Sequence, residues 1–206
     1  YQLTRVSLAG TMAGLTGLSR GMDLRVTPYV LGGGKQELEG AVLEPSGFSD
    51  VGLDVKYGVA SGLNLDLTLN TDFAQVEVDE QQVNLTRFPL FFPEKRDFFL
   101  ENAGMFNVGS GSSGSTSRHG DLFFTRRIGL SSSGQPVPII GGARLTGKVN
   151  RHNIAMLDIT TQDGSAGLGE NFFVGRYSRD IFSRSKIGGI VINKETIGGP
   201  HYNRTF

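Results

Sequence analysis

The chain has no cysteine, no tryptophan, no net charge and no long apolar run. Without cysteine there is neither a disulfide framework nor a thiolate metal site. Twenty basic side chains face 20 acidic ones. The basic excess that marks most nucleic-acid binders is therefore missing, and no nucleic-acid partner is expected. No stretch reaches the ~18 consecutive apolar residues of a transmembrane helix. A membrane β-barrel stays open, because its alternating strands give only a weak hydropathy signal. Familiar site motifs are lacking too. Gly32-Gly33-Gly34 is not part of a G-x-G-x-x-G or G-K-[ST] phosphate loop. His119, His152 and His201 stand outside any G-x-S-x-G or H-E-x-x-H context and read as isolated surface histidines.

Glycine is what the chain has in quantity. Its 30 residues are about twice the ~7% of average usage. Without a collagen-like repeat, that points to many tight turns and hence many strands. Leu24, Val26, Pro28 and Val30 alternate with Arg25, Thr27 and Tyr29. Residues 32–49 then read as a long loop, from Gly32-Gly33-Gly34 to Pro45-Ser46-Gly47. Val51, Leu53, Val55, Tyr57 and Val59 alternate with Gly52, Asp54, Lys56 and Gly58. After Ala60-Ser61-Gly62, Leu63, Leu65, Leu67 and Leu69 alternate with Asn64, Asp66, Thr68 and Asn70. This is a period-2 hairpin with an unbroken apolar face. Ala143, Leu145 and Val149, then Ala155, Leu157 and Ile159, then Phe173, Gly175 and Tyr177 continue the pattern, which weakens over Lys186 to Asn193.

Two architectures fit such alternation. A soluble sandwich turns its apolar faces inward, whereas a membrane barrel turns them to lipid and its polar faces to the lumen. The hairpin strands, read as residues 51–60 and 63–72, have the ~9–11 residues that a tilted strand needs to cross a bilayer. Soluble strands are typically ~5–6 residues. Links also alternate in length. Residues 60–62, 150–152 and 180–184 are short, while 32–49, 163–170 and the link after Glu195 are long. Outer-membrane barrels show this alternation of short turns and long loops. The fold class expected is all-β, with antiparallel up-and-down strands forming part of a transmembrane β-barrel. Residues 1–206 read as one barrel-type domain within a longer protein.

Residues 73–137 interrupt the pattern. Strand parity requires this excursion to begin and end on the same side of the sheet, so it reads as a plug or lid. Its centre, Val83 to Phe106, holds six of the chain's 14 phenylalanines and fits neither strand nor helix periodicity. Pro89 and Pro93 would break either element. Interleaved charges predict an internal ion-pair network of Arg87, Glu94, Lys95, Arg96, Asp97, Glu101, Arg126 and Arg127, since unpaired buried charge is costly. The basic members could alternatively line an anion-selective pore. Asp72, Glu77, Asp79 and Glu80 could hold Ca²⁺, but their spacing misses the EF-hand loop and reads as a solvated acidic segment. Glu94 with Glu101 could form a glycosidase pair, although the adjacent Lys95 and Arg96 favour ion pairing. No catalytic residue, metal or cofactor is assigned. Phe123 to Ile128 could be a short strand.

Several stretches carry a family resemblance. They are Leu69 to Glu77, Gln82 to Phe88, Phe91-Phe92-Pro93-Glu94-Lys95-Arg96, Phe98 to Glu101, Phe124 to Gly129 and Gly142 to Lys148. Together they resemble an uncharacterised bacterial domain family that usually follows an N-terminal family-nine carbohydrate-binding-like domain. The resemblance implies an outer-membrane β-barrel, with the lipid bilayer as partner and carbohydrate reached only through that other domain. It implies no reaction and no catalytic residues. The function expected is structural anchorage or small-solute passage in the outer membrane. A cell-envelope carbohydrate hydrolase and a soluble β-sandwich interaction module are the alternatives.

Overall fold

A computed structural model describes residues 14, 23–39, 42–71, 94, 96–107, 123–130, 137–162, 168–182 and 185–206. Eight antiparallel strands form one sheet, each strand beside the next in chain order. They are β1 (Leu24–Glu39), β2 (Val42–Ala60), β3 (Leu63–Thr71), β4 (Ile139–Val149), β5 (His152–Gln162), β6 (Leu168–Ile181), β7 (Ser185–Thr196) and β8 (Tyr202–Thr205). β1 and β8 are the two edges. All described strands lie in this one sheet, so among the described residues no second sheet completes a sandwich.

Turn chemistry explains the hairpins. Gly62 (φ 83°) and Asn150 (φ 54°) take the left-handed conformation at the β2–β3 and β4–β5 turns. Glycine adopts it without steric cost and asparagine tolerates it. One sequence expectation is corrected here. The glycine- and proline-rich residues 32–49 are not a long loop. They extend β1 and β2 into a paired ribbon, with Gly34 opposite Gly47 and Gln36 opposite Pro45. Turn-forming residues are weak evidence for a loop when two chain arms can pair along a sheet edge. Tyr29 lies across Gly52, its register partner, and so covers the bare backbone there. The link after β7, residues 197–201, is longer than the β2–β3 turn at 61–62 and the β4–β5 turn at 150–151.

β3 and β4 pair directly, with Leu65 opposite Leu145 and Thr71 opposite Ile139. The whole excursion between them therefore leaves and rejoins the sheet at one place. Its described parts contain a single helical turn, α1 (Asp97–Leu100), and 3₁₀ turns at Ala103–Phe106 and Thr125–Arg127. Residues 125–127 are thus a 3₁₀ turn where a short strand was expected. The acidic Asp72 to Glu80 segment lies outside the described residues.

The sheet has one covered face and one open face, and the polarity of β3 is inverted relative to a water-soluble sheet. Asp66 and Thr68 are 6% and 1% exposed, while Leu67 and Leu69 between and beyond them are 39% and 57% exposed. The described parts of the excursion lie on the polar side. The apolar core forms where β5–β7 turn Ala155, Leu157, Ile159, Val174 and Ile190 towards Phe99, Phe106 and Ile128 of the excursion. β5 alternates in the opposite sense to β3. Its apolar residues are inside, and Met156 and Asp158 are outside.

Candidate functional site

The covered face divides into a charged half on β2–β4 and an apolar half on β5–β7. Register alone creates the charged half. Lys56 pairs with Asp66, and Asp66 pairs with Arg144, so three alternating charges line up across three strands. Cross-strand partners stand within ~5 Å on one face. Thr68 lies next to this row and donates to Asp54 at 2.6 Å.

Arg144 is the centre of the arrangement. Its side chain is 2% exposed, and its Nη2 lies 2.8 Å from Asp66 Oδ2. Its Nε donates to the same oxygen at 3.1 Å. Nη1 donates to the carbonyls of Phe98 and of Glu101, the latter at 2.6 Å. These carbonyls end α1 and the turn after it, where the backbone has no partner of its own. The guanidinium also stands 5.0 Å from the Phe98 ring. A planar five-donor group can satisfy a carboxylate and two carbonyls together, and lysine could not. Three further contacts seat the excursion. Lys56 binds the Glu101 carboxylate, Asn102 donates to Thr146 at 3.1 Å, and Arg176 donates to the Met105 carbonyl at 2.5 Å.

A second knot ties the excursion to itself. Arg96 bonds both oxygens of Glu94 at 2.8 Å and donates to the carbonyls of Thr125 and Ile128 at 2.8 and 2.7 Å. Its guanidinium lies 4.2 Å over the Phe99 ring. Thr125 donates to Glu94 at 2.7 Å. One arginine thereby joins segment 94–107 to segment 123–130. Bidentate arginine–carboxylate pairs are among the stronger hydrogen-bonded contacts.

The structure places the residues singled out in the sequence as follows. Glu94 and Arg96 form the second knot. Glu101 reaches the first through Lys56 and Arg144. Arg126 is buried and Arg127 exposed. Arg87, Lys95 and the side chain of Asp97 lie outside the described residues. Sequence reasoning did not assign Asp66, Arg144 and Arg176 to the network. Their signal was the polar positions of otherwise regular strands, which is also where solvated residues fall. Among the described residues no group of three potential metal-ligating side chains comes together.

Both excursion carboxylates are held ionised. Burial pushes Glu94 up, but hydrogen bonds and charge from Arg96, with Thr125, outweigh it and leave the group below its ordinary 4.5. For Glu101, the Lys56 hydrogen bond is the largest influence. With the charges of Lys56, Arg144 and Arg25 it overcomes burial and lowers the group below 4.5. Neither is arranged as a neutral proton donor, as a glycosidase acid would be. A depressed folded-state value means stability that is present above the ordinary value and lost as pH falls through the depressed one. Protease resistance of segment 94–107 is therefore expected to stay level from about pH 8 to 5 and to fall only in stronger acid. Loss of resistance already near neutrality would contradict this.

The fold and site define a class: an all-β protein with a single up-and-down sheet, one face of which is occupied by a long insertion pinned through arginines. Within that class, the chain belongs to the family described as "Domain of unknown function (DUF5916)", which matches residues 22–157. The matched range runs from the start of β1 through the excursion and into β5. No curated protein matches the chain, and no solved structure does.

Proposed function

We propose that this chain forms part of an outer-membrane β-barrel wall, with the open apolar face against lipid and the covered face lining an interior that the excursion fills. One observation carries the reading. The open face is apolar in a band that runs obliquely across the strands. On β1 and β2 the band spans Leu24 to Val30 and Val51 to Val59, and on β7 it spans only Ile187 to Val191. One cross-strand row shows the drift. Val26, Val55, Leu67 and Ala143 lead to Asp158, Asn193 and Arg204, with Phe173 as the exception. The band shifts by about one residue per strand. With a rise of ~3.3 Å per residue and ~4.8 Å between strands, that corresponds to a tilt of about 35°, within the range of barrel strands. At that tilt, the nine residues of β3 span roughly 24 Å along the membrane normal, against the ~25 Å apolar band of such barrels. A water-soluble sheet has no reason to expose Val30 at 81%, Val51 at 62% and Leu69 at 57% on one continuous face.

The packed interior favours an anchor over an open passage. Phe98, Phe99 and Phe106 pack on the inner face of β4–β7. Glycan binding belongs to this reading only through the resemblance, as the task of an adjoining carbohydrate-binding-like domain that the barrel would hold at the membrane.

Because these 206 residues contain no cysteine, single-cysteine labelling within them is a direct test. In membranes holding the full-length protein, cysteine at Val55 or Leu67 is expected to resist a water-soluble maleimide and to react with a bilayer-confined one. Both positions reacting readily with the water-soluble reagent, in a protein that needs no detergent, would reject the membrane reading.

A further inference from the structure

At the short-turn end of the open face, two polar side chains interrupt the apolar surface. His152 at the start of β5 and Arg179 of β6 are register partners, so both project outward, side by side. Tyr177, the next outward residue of β6, hydrogen-bonds His152 Nδ1 at 2.6 Å, with ring centroids 5.8 Å apart. When the hydroxyl donates to Nδ1, Nε2 carries the proton and can donate. Arg179 is exposed, and among the described residues it makes no ion pair. Its neighbour on the far side is Ile187.

Among the described residues no carboxylate pairs with either side chain. The nearest, Asp180, points to the other face and is taken by Lys148 at 2.5 Å and Lys186 at 3.7 Å. The adjoining turns, Asn150-Arg151 and Phe182-Ser183-Arg184, contain no acid. At the opposite end of β5–β7, Asp158, Glu170 and Glu195 prevail. The short-turn end is thus basic, and its outward donors lie at the border of the apolar band beside a tyrosine. In a barrel, such aromatics stand at headgroup level.

We infer that Arg179 and the Tyr177-oriented imidazole of His152 form a site for the phosphodiester of a membrane phospholipid in the leaflet on the short-turn side. The inference rests on the membrane reading above. Arginine matches phosphate by its fork of donors, His152 adds a second donor, and Ile187 and Ile154 border the path of the acyl chains. The occupant is a lipid and not a free phosphate, because the donors adjoin apolar surface and are not enclosed in a pocket.

The test uses full-length protein reconstituted in phosphatidylcholine vesicles containing phosphatidylglycerol, then extracted in mild detergent, with bound phospholipid counted by native mass spectrometry. The wild type is expected to retain phospholipid, with Arg179→Gln retaining several-fold less and both His152→Gln and Arg179→Lys intermediate. Arg179 is exposed, and among the described residues its side chain makes no hydrogen bond or ion pair, so folding should be unaffected. Equal retention by wild type and Arg179→Gln, in protein that has inserted normally, overturns the site and leaves the barrel standing. Displacement of the lipid by millimolar inorganic phosphate overturns the lipid assignment. Failure of the wild type to enter vesicles removes the membrane reading, and this inference with it.

Discussion

Replacing Arg144 with alanine is expected to cost about 3–5 kcal/mol of folding stability, the range for breaking a buried ion pair from one side. The reason lies in what remains. Asp66, with a side chain 9% exposed, loses its nearest cation. The carbonyls of Phe98 and Glu101 lose their donor. Lys56 stands 4.0 Å from Asp66, is already committed to Glu101, and cannot replace three contacts. The double variant Asp66→Asn with Arg144→Met should recover part of the loss, because it removes the stranded charge. Chemical denaturation gives the energies, and hydrogen exchange over residues 96–107 reports unseating of the excursion. If the single variant costs less than about 1 kcal/mol, as exposed ion pairs do, Arg144 is not what pins it.

The second large effect concerns the open face. Leu67→Arg places a charge in the middle of the proposed lipid band, where barrels lose about 2–4 kcal/mol. Ile187→Arg, at the lower margin of the band on β7, should cost only ~0–1 kcal/mol. The contrast between the two is the informative quantity, measured by reversible folding into vesicles. Both side chains are exposed, at 39% and 62%. In a water-soluble protein neither substitution would shift stability by more than about 0.5 kcal/mol. Equal, small effects would therefore favour water as the solvent of this face.

Much of the sheet was legible in the sequence. The alternation from Val51 to Leu69 predicted both strands of a hairpin, because period-2 patterning follows directly from strand geometry. The β1–β2 extension was not legible. Gly32 to Gly34 and Pro45 to Gly47 favour turns locally, and only pairing between the two arms turns them into strands. Of the candidate site, the Glu94–Arg96 pair could be anticipated because its members lie two residues apart. Arg144 could not, because its partners Asp66 and Glu101 are 78 and 43 residues away.

By itself the sequence determined that this is an all-β chain with an irregular, aromatic and charged excursion, since side-chain alternation and its loss are local properties. Only the tertiary structure decided which face is covered. Alternation makes two faces, but burial depends on what packs against each. Here the excursion returns to the polar face of β2–β4, where register has assembled Lys56, Asp66 and Arg144, and leaves the leucines of β3 outside.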